Sequence, residues 1–163
     1  MGDAEIVKLS CHGVASATAG RFAVLLSDGR QLPPPLSDIA TRDDLVERYL
    51  FDWSDLAAGV GKCRLVVSSA CTSGSGLATR AGEYIGLARG YLVSGVLSFV
   101  APLWPVAVGP AQEFANGFIE RCLIAPDESI ATSLRRTRLA MAHLPPRVAD
   151  AFVLHGHAGP LFK

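Results

Sequence analysis

Short apolar runs and segments with a helical period alternate along this chain. Segments rich in apolar, β-prone residues predict buried strands over residues 5–10, 64–69, 96–100 and 151–154. The dipeptide Asp28-Gly29, which lies between the apolar residues 23–26 and 31–32, favours a β-hairpin with a tight turn. Strands are therefore predicted along the whole length of the chain.

Apolar residues at spacings of three and four predict helices between these strands, over residues 41–51, 84–92, 110–125 and 129–141. In the first helix we expect Thr41 as the N-cap and Phe51 on the inner side. Two prolines within residues 101–105 predict a loop there. This order of elements predicts an α/β fold, with a mostly parallel sheet, right-handed crossovers and helices on both faces.

The composition indicates a single folded domain over residues 1–163. Half of the 163 residues are hydrophobic and 18% are charged, which excludes a disordered chain and favours a well-buried sheet. The 15 Lys and Arg residues balance the 15 Asp and Glu residues, so no net field attracts nucleic acid or an anionic membrane. Neither nucleic acid nor a membrane is therefore an expected partner.

The cysteines and the first residues indicate a reduced, cytoplasmic protein. Cys11, Cys63, Cys71 and Cys122 are widely spaced with no CxxC pair, so neither a zinc site nor a disulfide framework is predicted. The start of the chain carries charges and no long apolar run, which is unlike a signal peptide. Residues 92–108 are interrupted by glycine and proline and make a poor membrane span. We expect no metal and no cofactor.

Cys71 lies where the apolar run over residues 65–67 breaks into a small, glycine-rich loop. In open α/β sheets, functional residues collect where strands end, and His12 follows the first predicted strand in the same way. If these strands are neighbours, the imidazole can hold the Cys71 thiol as a thiolate and later protonate a leaving amine. The backbone N–H groups of Gly13 and Cys71 can then stabilise the developing oxyanion.

Other interpretations of these residues stay open. Cys71 can equally be a small buried hydrophobe, as most free cysteines are. Eight residues separate Cys71 from Arg80, which is too many for a phosphatase-type loop. His155 and His157 flank a glycine but have no third ligand in the pattern, so they are more commonly surface or structural histidines than metal ligands. Cys11 competes with Cys71, but alternation in a strand points it and the next residue to opposite faces.

With these residues placed, residues 9–156 resemble the CHAT domain, a caspase-clan cysteine peptidase family related to separase. The resemblance rests on the order and spacing of several motifs: Cys11-His12-Gly13, residues 26–32 with their Asp-Gly turn, Val67-Ser68-Ser69-Ala70-Cys71-Thr72, Gly82-Glu83, Gly86-Leu87-Ala88-Arg89, Leu103-Trp104-Pro105-Val106, and Ala151-Phe152-Val153-Leu154-His155-Gly156. His12 lies 59 positions before Cys71, which agrees in kind with the spacing of about 50 in caspases.

The resemblance implies a caspase-like three-layer sandwich with cysteine endopeptidase activity. It implies that Cys71 is the nucleophile, that His12 is the base and acid, and that Gly13 and Cys71 donate to the oxyanion. The substrate is then a protein or peptide. Activity is expected to depend on a partner, since many members of the family act in bacterial signalling and defence.

The sequence departs from the family where an acidic pocket is expected. In relatives the motif at residues 103–106 usually runs on into aspartates that line a pocket for a basic residue. Here residues 107–112 contain no acid. We therefore expect that this chain does not require Arg or Lys before the scissile bond and favours a neutral residue there. The residues considered as pocket walls are Asp28, Glu83, Trp104, Gln112 and Glu113.

A second departure concerns the start of the chain. CHAT domains normally have further strand and helix units before the histidine strand, so the domain is expected to be N-terminally shortened. The strand edge at Ile6 to Leu9 is then expected to pair with a second copy, a partner chain or a longer parent, because open apolar edges associate. The missing acids and strands leave a rival function open, that of a non-catalytic pseudopeptidase acting as an interaction module.

Overall fold

The computed structural model of the chain describes residues 5–16, 21–25, 50–52, 55, 63–78 and 84–162. Numbered along the chain, its strands are β1 (Ile6–Leu9), β2 (His12–Ser16), β3 (Arg21–Leu25), β4 (Leu50–Asp52), β5 (Leu65–Ser68), β6 (Leu77–Ala78), β7 (Tyr84–Ile85), β8 (Ser98–Pro102) and β9 (Phe152–Gly156). Its described helices are α1 (Leu87–Val93), α2 (Val108–Ile124), α3 (Ile130–Ala140) and α4 (Pro146–Ala149).

The central sheet has four described strands in the order β1-β5-β8-β9. The first three are parallel, and β9 runs antiparallel beside β8. Leu9, the last residue of β1, lies opposite Ser68, the last residue of β5. The strands that precede His12 and Cys71 are therefore neighbours and end at the same edge of the sheet. The predicted α/β architecture with a mostly parallel sheet is confirmed.

Helices cover this sheet on both faces because its central strands are apolar on both sides. In β5, Leu65 and Val67 belong to a core cluster that includes Phe114 of α2. Val66 points the opposite way and belongs to a second cluster that includes Tyr91 of α1. The three β5 residues are fully buried, and each contributes about 1.5–3 kcal/mol to stability. The predicted three-layer arrangement is therefore confirmed.

A second, antiparallel sheet with the described strand order β2-β3-β4 corrects two predictions. His12 does not lie in a loop beyond a strand, because it is the first residue of β2 and lies opposite Leu25. Phe51 does not lie on a helix, because it belongs to β4 and pairs with Val24. A short apolar strand gains backbone hydrogen bonds along the otherwise open edge of β3, and this outweighs the helical spacing.

Of the hairpin predicted around Asp28-Gly29, the structure describes only residues 23–25, which form the end of β3. The turn itself, residues 31–32 and the helix predicted over residues 41–49 lie outside the described residues.

Several boundaries differ from the predicted ones. Tyr84 belongs to β7, which pairs with β6, because an extended glycine separates it from α1. β8 continues through Pro102, where the prolines predict a loop. Since β5 pairs with β8 only as far as Val100, the missing N–H of this proline breaks no hydrogen bond between the two strands. α2 begins at Val108, slightly before the predicted start.

The predicted helix after Ser129 is confirmed. The Ser129 hydroxyl caps α3 by accepting a hydrogen bond from the N–H of Thr132 at 3.2 Å. The short helix α4 follows the proline that ends this segment. Within the described ranges, no helix combines the length and apolar character needed to cross a bilayer.

Candidate functional site

Cys71 lies in a tight turn, residues 71–74, that follows β5. The N–H of Ser73 donates to the carbonyl oxygen of Ala70 at 3.2 Å, and the Ser73 hydroxyl donates to the same oxygen at 2.6 Å. Ser68 Oγ lies 2.8 Å from Ser73 Oγ and accepts the N–H of Ala70 at 3.2 Å. Both serines are buried, and their hydrogen bonds are made inside the protein, so they hold this turn rigidly.

The residue after Cys71 has a backbone conformation that side chains rarely adopt. Thr72 has φ of +57°, in the left-handed region. For a residue other than glycine this conformation costs on the order of 1–3 kcal/mol, and such strain is concentrated at functional sites. The Thr72 hydroxyl donates to the Cys71 carbonyl at 2.6 Å, and Ser75 Oγ donates to the Thr72 carbonyl at 2.6 Å. These two bonds stabilise the strained turn.

The backbone of Gly13 lies directly against the backbone of Cys71. A Cβ atom at position 13 would be 2.0 Å from the Cys71 carbonyl oxygen and 3.1 Å from its carbonyl carbon. Only glycine allows so close an approach. Just before this contact, the N–H of Ser69 donates to the carbonyl of Leu9 at 2.9 Å and joins the two strand ends. The structure thus brings together the segments that contain His12 and Cys71.

The side chains of His12 and Cys71 make no hydrogen bond to each other. His12 is exposed, and its imidazole has no hydrogen-bond partner among the described residues. The half-buried Cys71 thiol donates instead to the carbonyl oxygen of Val106 at 3.6 Å. In the part of the chain that the structure describes, the backbone N–H of Cys71 also has no partner. This N–H is therefore available to bind an oxyanion.

The other three cysteines are poor nucleophiles because of burial. Burial raises the pKa of Cys11 and the pKa of Cys122 to about 11 each. Burial also raises the pKa of Cys63, although backbone hydrogen bonds oppose the shift. The thiolate is the reactive form of cysteine, so these thiols are nearly inert at neutral pH. Cys11 packs against the core cluster that includes Tyr91.

The residues expected to line a substrate pocket lie in different places. Trp104 is half-buried in the loop after β8, and its Nε1 donates to the carbonyl of Arg147 at 2.8 Å. Gln112 is exposed on α2, and the adjacent Glu113 makes a 2.7 Å hydrogen bond with His143. Asp28 and Glu83 lie outside the described residues. Val106, whose carbonyl contacts the thiol, is not among the pocket residues that the sequence suggests.

His155 also contacts the turn that carries Cys71. Its Nε2 lies 3.1 Å from the carbonyl oxygen of Gly74. Burial lowers the pKa of His155, and the hydrogen bond to Gly74 partly opposes this. The interpretation of His155 as a structural histidine agrees with this contact, whereas His157 is exposed. Across the described ranges, no three His, Cys, Asp or Glu side chains converge in a way that could hold a metal ion.

Comparison with known proteins identifies a family and similar solved structures. Residues 1–155 match the family model described as the CHAT domain. The chain is also similar in fold to a chain in the crystal structure of the Saccharomyces cerevisiae separase–securin complex, with a TM-score of 0.51 and 20% sequence identity. That match covers 64% of this chain and 7% of the separase–securin chain, so it spans a small part of the larger protein. A comparison with curated proteins found no match.

Proposed function

Because this chain belongs to the CHAT domain family, we propose that it is a cysteine endopeptidase that uses His12 and Cys71 to hydrolyse peptide bonds in a protein substrate. The observation that carries this proposal is the contact between the backbones of Gly13 and Cys71. This contact puts the residue after His12 against the residue that bears the thiol. We propose that a side-chain rotation then brings the imidazole of His12 and the thiol of Cys71 within reach of a proton transfer.

In the first half of the proposed reaction, Cys71 becomes acylated. His12 takes the thiol proton, and the sulfur attacks the carbonyl carbon of the scissile peptide bond. The C–N bond breaks as His12 gives this proton to the leaving amine, and a thioester remains on Cys71. The N–H groups of Gly13 and Cys71 stabilise the intermediate oxyanion, and loss of one such donor typically costs about 10²–10³ in rate.

In the second half, water releases the acyl group. His12 takes a proton from water, and the water oxygen attacks the thioester carbon. The C–S bond breaks, the carboxylic acid product leaves, and the proton returns from His12 to the Cys71 sulfur. The free thiol and the neutral imidazole are thereby restored.

The contact between the Cys71 thiol and Val106 supports regulation by a partner. The thiol proton is directed at the carbonyl oxygen of Val106, so in this arrangement it is not shared with His12. For attack, the thiol has to turn away from Val106 and toward His12. We propose that the free protein makes this change transiently, which allows alkylation of Cys71, and that binding of a protein partner stabilises the turned conformation.

We propose that the partner pairs with the edge of β1, over Ile6 to Leu9. Among the described strands, β1 has a neighbour on one side alone, which is β5.

A groove of about 790 Å³ lies beside this edge, between β1 and α2. Its apolar lining residues are Ile6, Ile119, Leu123, Ile124 and Phe162. Leu123 is 57% exposed and Ile124 is 73% exposed. An added strand would cover this apolar surface. The similar separase chain was solved in complex with another protein, securin, which also supports a protein partner.

A non-catalytic interaction module is the second candidate function. The observation that favours it is that, within the described residues, His12 and Cys71 are not hydrogen-bonded to each other. In this case Cys71 is a structural residue of its turn, and the groove beside β1 is the functional surface.

Alkylation of the thiols distinguishes the two functions. Wild type, Cys71→Ala, His12→Ala and the control Cys11→Ala are treated with iodoacetamide at neutral pH, and the labelled site is identified by intact mass and peptide mapping. If the chain is a peptidase, we expect iodoacetamide to label Cys71 in the wild type about 10²–10⁴ times faster than in His12→Ala. The reason is that the imidazole of His12 removes the thiol proton. The Cys11→Ala variant should react like the wild type. Equal rates in wild type and His12→Ala would refute the dyad and favour the interaction module.

A further inference from the structure

His155 lies 81 positions after Gly74 in the chain, yet the two residues are joined by a hydrogen bond beside Cys71. We propose that His155 is a positioning residue for Cys71, which holds the turn at residues 71–74 in its reactive geometry by donating from Nε2 to the Gly74 carbonyl. The proposal deepens the peptidase function proposed above and rests on it.

The backbone of Gly74 is held from both sides. Its carbonyl oxygen lies 3.1 Å from Nε2 of His155 on β9. Its N–H donates to the carbonyl of Pro102, at the end of β8, at 2.9 Å. A Cβ atom at this position would be 2.6 Å from the carbonyl oxygen of Ala101, so Gly74 is also in close contact with the strand itself. The end of the Cys71 turn is therefore attached to β8 and β9 together.

Two local backbone hydrogen bonds span the segment that contains Cys71 and Gly74. The N–H of Ser73 donates back to Ala70 at 3.2 Å, and the N–H of Ser75 donates back to Thr72 at 2.9 Å. These overlapping turns enclose both Cys71 and Gly74. A displacement of Gly74 is therefore transmitted to the thiol and to the N–H that would bind the oxyanion, and errors of about 1 Å in such groups cost up to 10² in rate.

The chemistry of a half-buried imidazole suits this role. Burial lowers the pKa of His155, so the ring is neutral at neutral pH. A neutral imidazole carries one N–H, and a carbonyl oxygen can only accept, so this bond requires the proton on Nε2. The ring centroid lies 6.2 Å from that of Phe99 on β8, and this packing limits its orientation. Leucine could replace the packing of the ring, whereas glutamine could also replace the donor.

The test compares wild type, His155→Leu, His155→Gln and, as a matched control, His157→Gln at the exposed histidine of the same segment. The first readout is the rate of iodoacetamide alkylation at Cys71, with the thermal melting temperature measured in parallel. The second readout is NMR: the tautomer of ¹⁵N-labelled His155 in wild type, and the backbone amide shifts of residues 71–75 in each variant. Neither NMR readout depends on peptidase activity.

We expect His155→Leu to alkylate at Cys71 about tenfold more slowly than wild type, with an unchanged melting temperature and displaced amide shifts over residues 71–75. His155→Gln should recover most of the rate, and His157→Gln should match the wild type.

Two outcomes would overturn the positioning role and leave the dyad intact: alkylation of His155→Leu at the wild-type rate, or a proton on Nδ1 of His155. Should wild type and His12→Ala alkylate equally, the peptidase function fails instead, and the amide shifts alone decide whether His155 positions the turn. Should His155→Leu fail to fold, the tautomer and the His155→Gln variant decide.

Discussion

At the scale of single residues, the contact between Gly13 and Cys71 predicts the effect of adding one methyl group. In Gly13→Ala the new Cβ would lie 2.0 Å from a backbone oxygen, which no side-chain movement can relieve. We expect the variant to be destabilised by about 1–3 kcal/mol, the usual cost of overpacking, and to alkylate more slowly at Cys71. The free energy of unfolding in urea and the alkylation rate check both effects.

Gly109→Ala is the matched control for this substitution. Gly109 lies in the first turn of α2, and a Cβ atom there would have nothing within 4 Å. The change is expected to raise stability by up to about 1 kcal/mol, because alanine is the better helix former. A Gly13→Ala protein as stable and reactive as wild type would remove the main support for the dyad.

The residues suggested as pocket walls, together with the loop that contacts the Cys71 thiol, also predict the specificity of the proposed peptidase. Gln112 is neutral, and Glu113 is engaged with His143 at 2.7 Å. The loop whose Val106 carbonyl contacts the thiol has no charged side chain over residues 103–108. In a peptide library we expect cleavage after neutral residues, with Cys71→Ala as the inactive control. A profile dominated by cleavage after Arg or Lys would contradict this.

The position of Cys71 at a strand end could be predicted from the sequence, but the construction of its turn could not. A run of apolar residues that stops at small ones is visible as a pattern. By contrast, Ser68 and Ser73 are buried because they bond to each other and to Ala70, and this depends on the path of the backbone. The positive φ of Thr72 has the same origin, since threonine by itself disfavours that conformation. The contact of the thiol with Val106 joins distant segments and has no local signal.

At the scale of secondary-structure elements, β9 makes stability depend on pH through His155. The pKa of His155 is lowered by burial in the folded protein, so near the ordinary histidine value of about 6.5 the unfolded chain binds more protons than the folded chain. The contribution of His155 to stability therefore falls as the pH decreases through this value and becomes constant below the folded-state pKa. Above this pH range the ring is neutral in both the folded and the unfolded chain, so its contribution to stability no longer changes with pH.

Urea unfolding of wild type, His155→Leu and His155→Gln at about pH 8 and about pH 5 tests this dependence. We expect wild type to lose more stability than either variant when the pH is lowered, since both variants remove the titrating group. All other titrating groups are the same in the three proteins, so the difference between wild type and the variants isolates the effect of His155. A loss of the same size in all three proteins would show that the pKa of His155 is not lowered by folding.

Long elements could be predicted from the sequence better than short ones. The helices α2 and α3 carry enough apolar residues to show their period, and β5 is visible as a run of buried apolar residues. β4, β6 and β7 have two or three residues each, and a period cannot be read from so few. Such strands form because a partner strand offers free hydrogen-bonding groups, as β3 does for β4. This is why Phe51 fits a helical spacing and nevertheless lies in a sheet.

At the scale of the whole molecule, the groove beside β1 predicts self-association through this edge. Leu123 lies in the groove and is 57% exposed, so in an edge-to-edge dimer it would be buried. We expect Leu123→Glu to weaken association by about tenfold or more, because a buried unpaired charge costs more than the roughly 1.4 kcal/mol that a tenfold change requires. Sedimentation velocity over a range of concentrations measures the effect.

Leu139→Glu is the control for the general effect of replacing an exposed leucine with a charged residue. Leu139 is 66% exposed on α3 and does not line the groove, so its substitution should leave association unchanged. Equal weakening by both variants would place the interface elsewhere. A wild-type protein that stays monomeric at every concentration would exclude a second copy as the partner.

The bond between His155 and Gly74 also bears on when the protein becomes active during its synthesis. The chain leaves the ribosome from its N-terminus, so His12, Cys71 and Val106 emerge well before β9. Until His155 has emerged, the turn at residues 71–74 lacks its link to β9. If the positioning role holds, a nascent chain carries both residues of the dyad without a working peptidase. Proteins near the ribosome would then be protected from cleavage by the nascent chain until β9 joins the sheet.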